Sequence, residues 1–112
     1  MAAVQAPEIR TIRGRLGLSQ ELFSRVLDVS ARSVERWEAR GATRMNADAS
    51  RRLAITREIL ALAAEVYGSE VDRFMATPRR SLGMRTPREA MIHGDLESVR
   101  QLLINGVEGH WA

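Results

Sequence analysis

Leu18–Arg40, LSQELFSRVLDVSARSVERWEAR, decides the fold, because it reads as two short amphipathic helices joined by a turn. Leu22, Phe23, Val26 and Leu27 recur at i, i+1, i+4 and i+5, which at about 100° per residue gathers them on one side of a helix and leaves Glu21 and Arg25 opposite. Asp28-Val29-Ser30 interrupts that pattern. Asp tolerates a left-handed backbone, Val29 suits a buried corner, and Ser30 can cap a following helix by accepting an orphan N–H. In the second helix Ala31, Val34 and Trp37 line one face, while Arg32, Arg36 and Arg40 step by four along the other, beside Ser33.

An exposed guanidinium row on a short helix suits phosphates or the O6/N7 edge of guanine in a major groove, and Ser33 or the helix start at Ser30 can add phosphate contacts. The alternative is a plain helical hairpin whose arginines are a solvated face paired with Glu35 or Glu38, two acids that dilute the positive field. The run S-Q-E-L-F-S-R-V-L-D-V-S-A-R-S-V-E-R-W-E resembles the Xre/Cro-type helix-turn-helix, apart from Ser24 and Asp28 where that family usually has Ala and Gly. The resemblance implies DNA binding by Gln20, Ser30, Arg32, Ser33, Arg36 and Arg40, with Gln20 touching a phosphate, and dimers on paired half-sites.

The whole chain has 112 residues, enough for one good core or two small helical modules sharing a boundary. No segment alternates with period two for long enough to make a strand, so the expected class is all-α. All 17 basic residues are arginine, as much a coding bias as a functional one, and a net charge of +3 permits nucleic-acid binding without demanding it. No cysteine is present, so no disulfide or thiolate chemistry exists. The start lacks a signal-like apolar run and no stretch approaches the roughly 18 apolar residues of a membrane span, which reads as cytoplasmic.

In chain order, residues 1–6 read as a flexible lead-in and 7–44 as the helix-turn-helix bundle, with a first helix from Pro7 to Gly17 carrying Ile9, Ile12 and Leu16 inward. Residues 45–112 form the second part. Asn46 or Asp48 can cap a long helix to about Tyr67, with Leu53, Leu60, Ala64 and Tyr67 on one face. Ile55, Ile59, Leu62 and Val66 lie on another face, a candidate dimer interface or else a surface the chain's own modules cover. A short helix from Ser69 to Met75 follows, then the basic connection 78–85. Thr86-Pro87-Arg88-Glu89 is a capping box. Asp95 caps the last helix, which Asn105-Gly106 ends, leaving residues 105–112 as a tail.

Phe74-Met75, T-P, R-R-S-L-G, R-T-P-R-E-A-M, H-G-D, V-R-Q-L-L and G-V-E-G-H-W together resemble the C-terminal domain of the MbcA/ParS/Xre antitoxin family, with Phe74 where Trp is common and Trp111 where Tyr is common. With the preceding module, nearly the whole chain matches that architecture. The resemblance implies an antitoxin that neutralises a NAD-destroying toxin with a RES domain and binds its own operator as an oligomer, a homodimer within a larger hetero-oligomer. It implies toxin contacts at Arg79, Arg80 and Arg85, which a merely solvated basic loop or, for Arg79 and Arg80, contact with DNA phosphates explains equally, and a blocking segment of Val107, Glu108, Gly109, His110, Trp111 and Ala112. Trp111 is a fitting apolar anchor, or else folds back over Leu102 and Leu103.

No catalytic fingerprint appears, and Glu89 and Asp95 are explained by capping, so neither an enzyme nor a cofactor or metal is expected. The competing reading is a stand-alone Xre-type transcriptional regulator. A third keeps the helix-turn-helix for assembly alone.

Overall fold

Capping chemistry sets most of the helix starts in the computed structural model, which describes residues 4–107. α1 (Ala6–Leu16) has Pro7 in its first turn and ends at Gly17, left-handed at φ 69°. α2 (Gln20–Leu27) is capped by Ser19, whose hydroxyl accepts from Leu22 N at 3.1 Å, and closes on Asp28 at φ 55°. α3 (Ala31–Arg40) is capped in the same way by Ser30. α4 (Ala47–Tyr67) starts on Asn46, whose Oδ1 accepts from Ala49 N at 2.8 Å, and its 21 residues span about 31 Å. A 3₁₀ turn at Gly68–Glu70 leads into α5 (Val71–Met75), and a second 3₁₀ turn occupies Arg80–Leu82. α6 (Pro87–Ile92) carries the full Thr86/Glu89 capping box, and α7 (Leu96–Val107) follows. The described chain is all-α, as expected.

One buried cluster runs through both halves. Ile9, Leu16, Phe23, Val26, Val34 and Trp37 of the first three helices join Leu53, Ile59 and Leu60 of α4, Phe74 and Met75 of α5, Met91 of α6 and Leu103 of α7. Each large side chain so buried contributes about 1.5–3 kcal/mol. Polar links cross the same seam: Arg57 pairs with Glu8 at 2.7 Å, and Arg88 Nε donates to the Leu16 carbonyl at 2.7 Å. Arg100 of α7 pairs with Glu58 of α4. The expected boundary at residues 44 and 45 lies in the α3–α4 connection, and the core is continuous across it.

Three local expectations need correction. Val4, expected in a loose lead-in, exchanges backbone hydrogen bonds with Ala42 (3.1 and 2.8 Å), and Ala6 is already helical. Asn105-Gly106 does not end α7: the Gln101 amide donates to Asn105 Oδ1 at 3.0 Å and the helix continues through Val107 with Gly106 buried. On α4 the buried residues are Ala49, Leu53, Thr56, Ile59, Leu60 and Ala63, so Ile59 belongs to the chain's own core, whereas Ala64 is exposed. Thr56 is buried at no polar cost because its hydroxyl donates to the Arg52 carbonyl at 2.8 Å. Among the described residues no helix is long and apolar enough to cross a membrane.

Candidate nucleic-acid and partner interfaces

α3 is amphipathic enough to anchor by one side and present the other. Val34 and Trp37 are buried, while Arg32, Arg36 and Arg40 are exposed and make no ion pair among the described residues. Ser30 Oγ accepts from Ser33 N at 3.1 Å and lies 3.0 Å from Ser33 Oγ, so both hydroxyls cluster at the positive end of α3. Arg36 and Arg40 continue into a concavity of about 420 Å³ that Trp37, Gly41, Thr43 and Arg44 complete. Thr43 and Arg44 were missed as candidates; the available signal was a second basic residue one short loop beyond a glycine-terminated arginine helix.

The acids expected to dilute this face behave differently from each other. Glu35 is exposed beside Arg32 and Arg36. Glu38 instead turns inward and is 5% exposed: Arg13 Nε donates to Oε2 at 2.5 Å, Arg13 Nη2 to Oε1 at 2.9 Å, and the Gln20 amide to Oε1 at 3.1 Å. The Arg10 guanidinium donates to the Glu38 carbonyl oxygen. Burial pushes the Glu38 carboxyl up, but the hydrogen bonds from Arg13 and Gln20 and the charges of Arg13 and Arg10 outweigh it and hold the group below its ordinary range. Arg13 is raised by the same hydrogen bond. Glu38 is therefore a bracket for α1, α2 and α3, and Gln20, half-buried and named as a candidate phosphate contact, donates its amide to it.

The arginines of the basic connection are held in three different ways. Arg79 lays its guanidinium over the rings of Phe74 (5.0 Å) and Tyr67 (5.9 Å), which are themselves stacked at 4.6 Å. Its Nε is buried without a hydrogen bond. A groove of about 380 Å³ lined by Tyr67, Glu70, Arg73, Phe74, Thr77 and Arg79 opens beside this stack. Arg85 donates from Nε to the Leu82 carbonyl at 3.2 Å and approaches Asp95 at 3.7 Å. Arg80 is exposed and makes no ion pair among the described residues. Of the three arginines named as candidate toxin contacts, Arg79 and Arg85 thus have partners inside the chain, while Arg80 has no ion pair among the described residues.

Val107 lies on the last turn of α7, and Glu108, Gly109, His110, Trp111 and Ala112 lie outside the described residues. Of the apolar stripe expected to meet a second copy, Ile59 is fully buried at 0% exposure and has no surface to offer. Ile55, Leu62 and Val66 are half-buried.

No family model matches the chain. It is 30% identical over 95 residues to the mycobacterial cidal antitoxin MbcA of Mycobacterium bovis and of Mycobacterium tuberculosis, across 85% of this chain and 84% of each relative. The fold matches a chain in the crystal structure of the M. tuberculosis MbcT-MbcA toxin-antitoxin complex with a TM-score of 0.65 and 27% identity, over 96% of both chains. With its helices in this order and its sequence aligned over most of its length, the chain belongs to the family of the mycobacterial cidal antitoxin MbcA.

Proposed function

We propose that this protein is the antitoxin of a toxin–antitoxin pair, which binds and inhibits a RES-domain, NAD-degrading toxin and represses its own operon. The observation that carries the reading is the likeness to a chain of a toxin–antitoxin complex, covering 96% of both chains. Toxin contact falls to Arg80 and the segment from Val107 to Ala112. DNA binding falls to α2 and α3 as an Xre-type helix-turn-helix, with Arg32, Arg36 and Arg40 free to meet phosphates or base edges and Glu38 withdrawn from their field. Ile55, Leu62 and Val66 offer a surface for the second copy that paired half-sites require.

Co-expression of a tagged chain with a RES-domain protein encoded beside it, followed by pull-down and an NAD assay, tests the reading. The expected result is a stable complex with cellular NAD preserved, and loss of that protection on deleting Glu108–Ala112 from a chain that still folds. If nothing co-purifies and NAD is unaffected by either protein, the chain is a stand-alone regulator instead, whose entire function resides in Arg32 and Arg36.

A further inference from the structure

Met84 occupies a position its own fold gives it no reason to hold. Its side chain is 63% exposed, the large hydrophobic residue that stands out to solvent among those described. Its backbone is left-handed at φ 67°, a region that costs any residue with a Cβ and that glycine enters freely. The other described non-glycine residue there, Asp28, ends a helix and has a polar side chain suited to the conformation. At Met84 the backbone N–H helps close the turn on the Arg79 carbonyl, but that bond asks nothing of the side chain, which stays exposed and is apolar.

The loop that carries it is closed by its own backbone. The Arg79 carbonyl accepts from Leu82 N (3.0 Å) and Met84 N (2.9 Å), Gly83 N donates to the Arg80 carbonyl (3.1 Å), and Arg79 N donates to the Arg85 carbonyl (3.0 Å). Its base is pinned by buried Leu82, by Arg79 on the Phe74 and Tyr67 rings, and by Arg85 on the Leu82 carbonyl. Such a loop loses little freedom on binding, so what it displays is preorganised. It displays Met84, Arg80 and Ser81.

We infer that the Arg79–Arg85 loop is a preformed docking knuckle in which Met84 enters an apolar pocket of the toxin and Arg80 meets a carboxylate at that pocket's rim. The inference rests on the antitoxin reading above and adds to it the chemistry of the contact. An unbranched, polarisable thioether fills an irregular apolar pocket, and a guanidinium without an ion-pair partner among the described residues is matched by an acid. A second copy fits less well, because a two-fold contact centred on Met84 would bring two unpaired Arg80 side chains together.

The test measures two quantities on the full chain: the thermal midpoint of the free protein and its affinity for the purified RES-domain protein. Met84→Gly is expected to raise the midpoint by about 3–5 °C, since it relieves the strain, while weakening toxin binding by roughly 10- to 100-fold. Met84→Ala keeps the strain and the loop, so its midpoint stays near wild type and its binding falls similarly. Met84→Leu binds within about threefold of wild type. Met84→Ala binding as tightly as wild type overturns the inference while leaving the antitoxin reading intact. A wild-type chain that does not bind the RES-domain protein overturns both. Retained toxin binding by Met84→Gly with a changed sedimentation coefficient of the free chain assigns the knuckle to self-association instead.

Discussion

α3 and the Arg79–Arg85 loop each carry three arginines, and the chain holds them in opposite ways. On α3 the arginines sit at four-residue spacing on the side away from Val34 and Trp37, and among the described residues all three stay exposed without an ion pair. In the loop, two of the three are consumed locally, Arg79 by the aromatic rings and Arg85 by Leu82 and Asp95. Counting basic residues therefore says little about basic surface. A helix face keeps its charges outward by periodicity, whereas a loop folds its long side chains back onto whatever surrounds it.

The sharpest way to break this comparison is to remove charge from each region and read DNA binding. Arg32→Ala with Arg36→Ala should weaken operator binding by roughly 100-fold and reduce the salt slope by about two, with an unchanged melting curve, whereas Arg80→Ala should leave both untouched. Equal losses from the two regions in a filter-binding salt titration would erase the distinction. Next in size is Glu38, the acid that sits on α3 but not on its arginine face. Glu38→Gln should cost about 2 kcal/mol in a denaturant melt, because Arg13 keeps its place with its charge unmatched. Since the folded carboxyl titrates below its ordinary range, its contribution is fully present above the unfolded value and is lost as pH falls through the folded one. The variant's stability should accordingly vary less than wild type's below about pH 5. Smallest is the loop itself: Arg79→Ala should lower stability by about 1 kcal/mol through the lost ring contact, and Arg80→Ala by less than about 0.5 kcal/mol, measured by thermal melts.

The parts of the fold legible in sequence were those decided within four residues. Ser19, Ser30, Asn46 and the Thr86/Glu89 pair cap their helices through i to i+3 bonds, and Asp28 and Gly17 adopt the left-handed backbone that ends them. What periodicity could not supply was which side of a nearly all-apolar helix meets which neighbour. α4 offers Ile55, Ile59 and Leu62 almost equally, and only the tertiary packing around it, in which α2, α5 and α7 meet α4, leaves Ile59 fully buried and the other two half-buried. Glu38 was misplaced for a related reason: its partner, Arg13, lies 25 residues away, and nothing between them in sequence reveals the pairing. Met84 was passed over because a lone exposed apolar residue is ordinary; its backbone angle is what sets it apart.

The hydrogen bond from Arg88 to the end of α1 spans 72 positions in sequence and stitches the beginning of the chain to its second half. With the hydrophobic cluster shared across the same seam, the two ends melt together, so whatever grips one end protects the other. A ligand present at a hundred times its dissociation constant adds about 2.7 kcal/mol to the whole chain, wherever it docks. A partner held at the far end would thus lengthen the lifetime of the arginine helix against proteolysis without touching it. When that partner is withdrawn, both ends become open to unfolding on one clock.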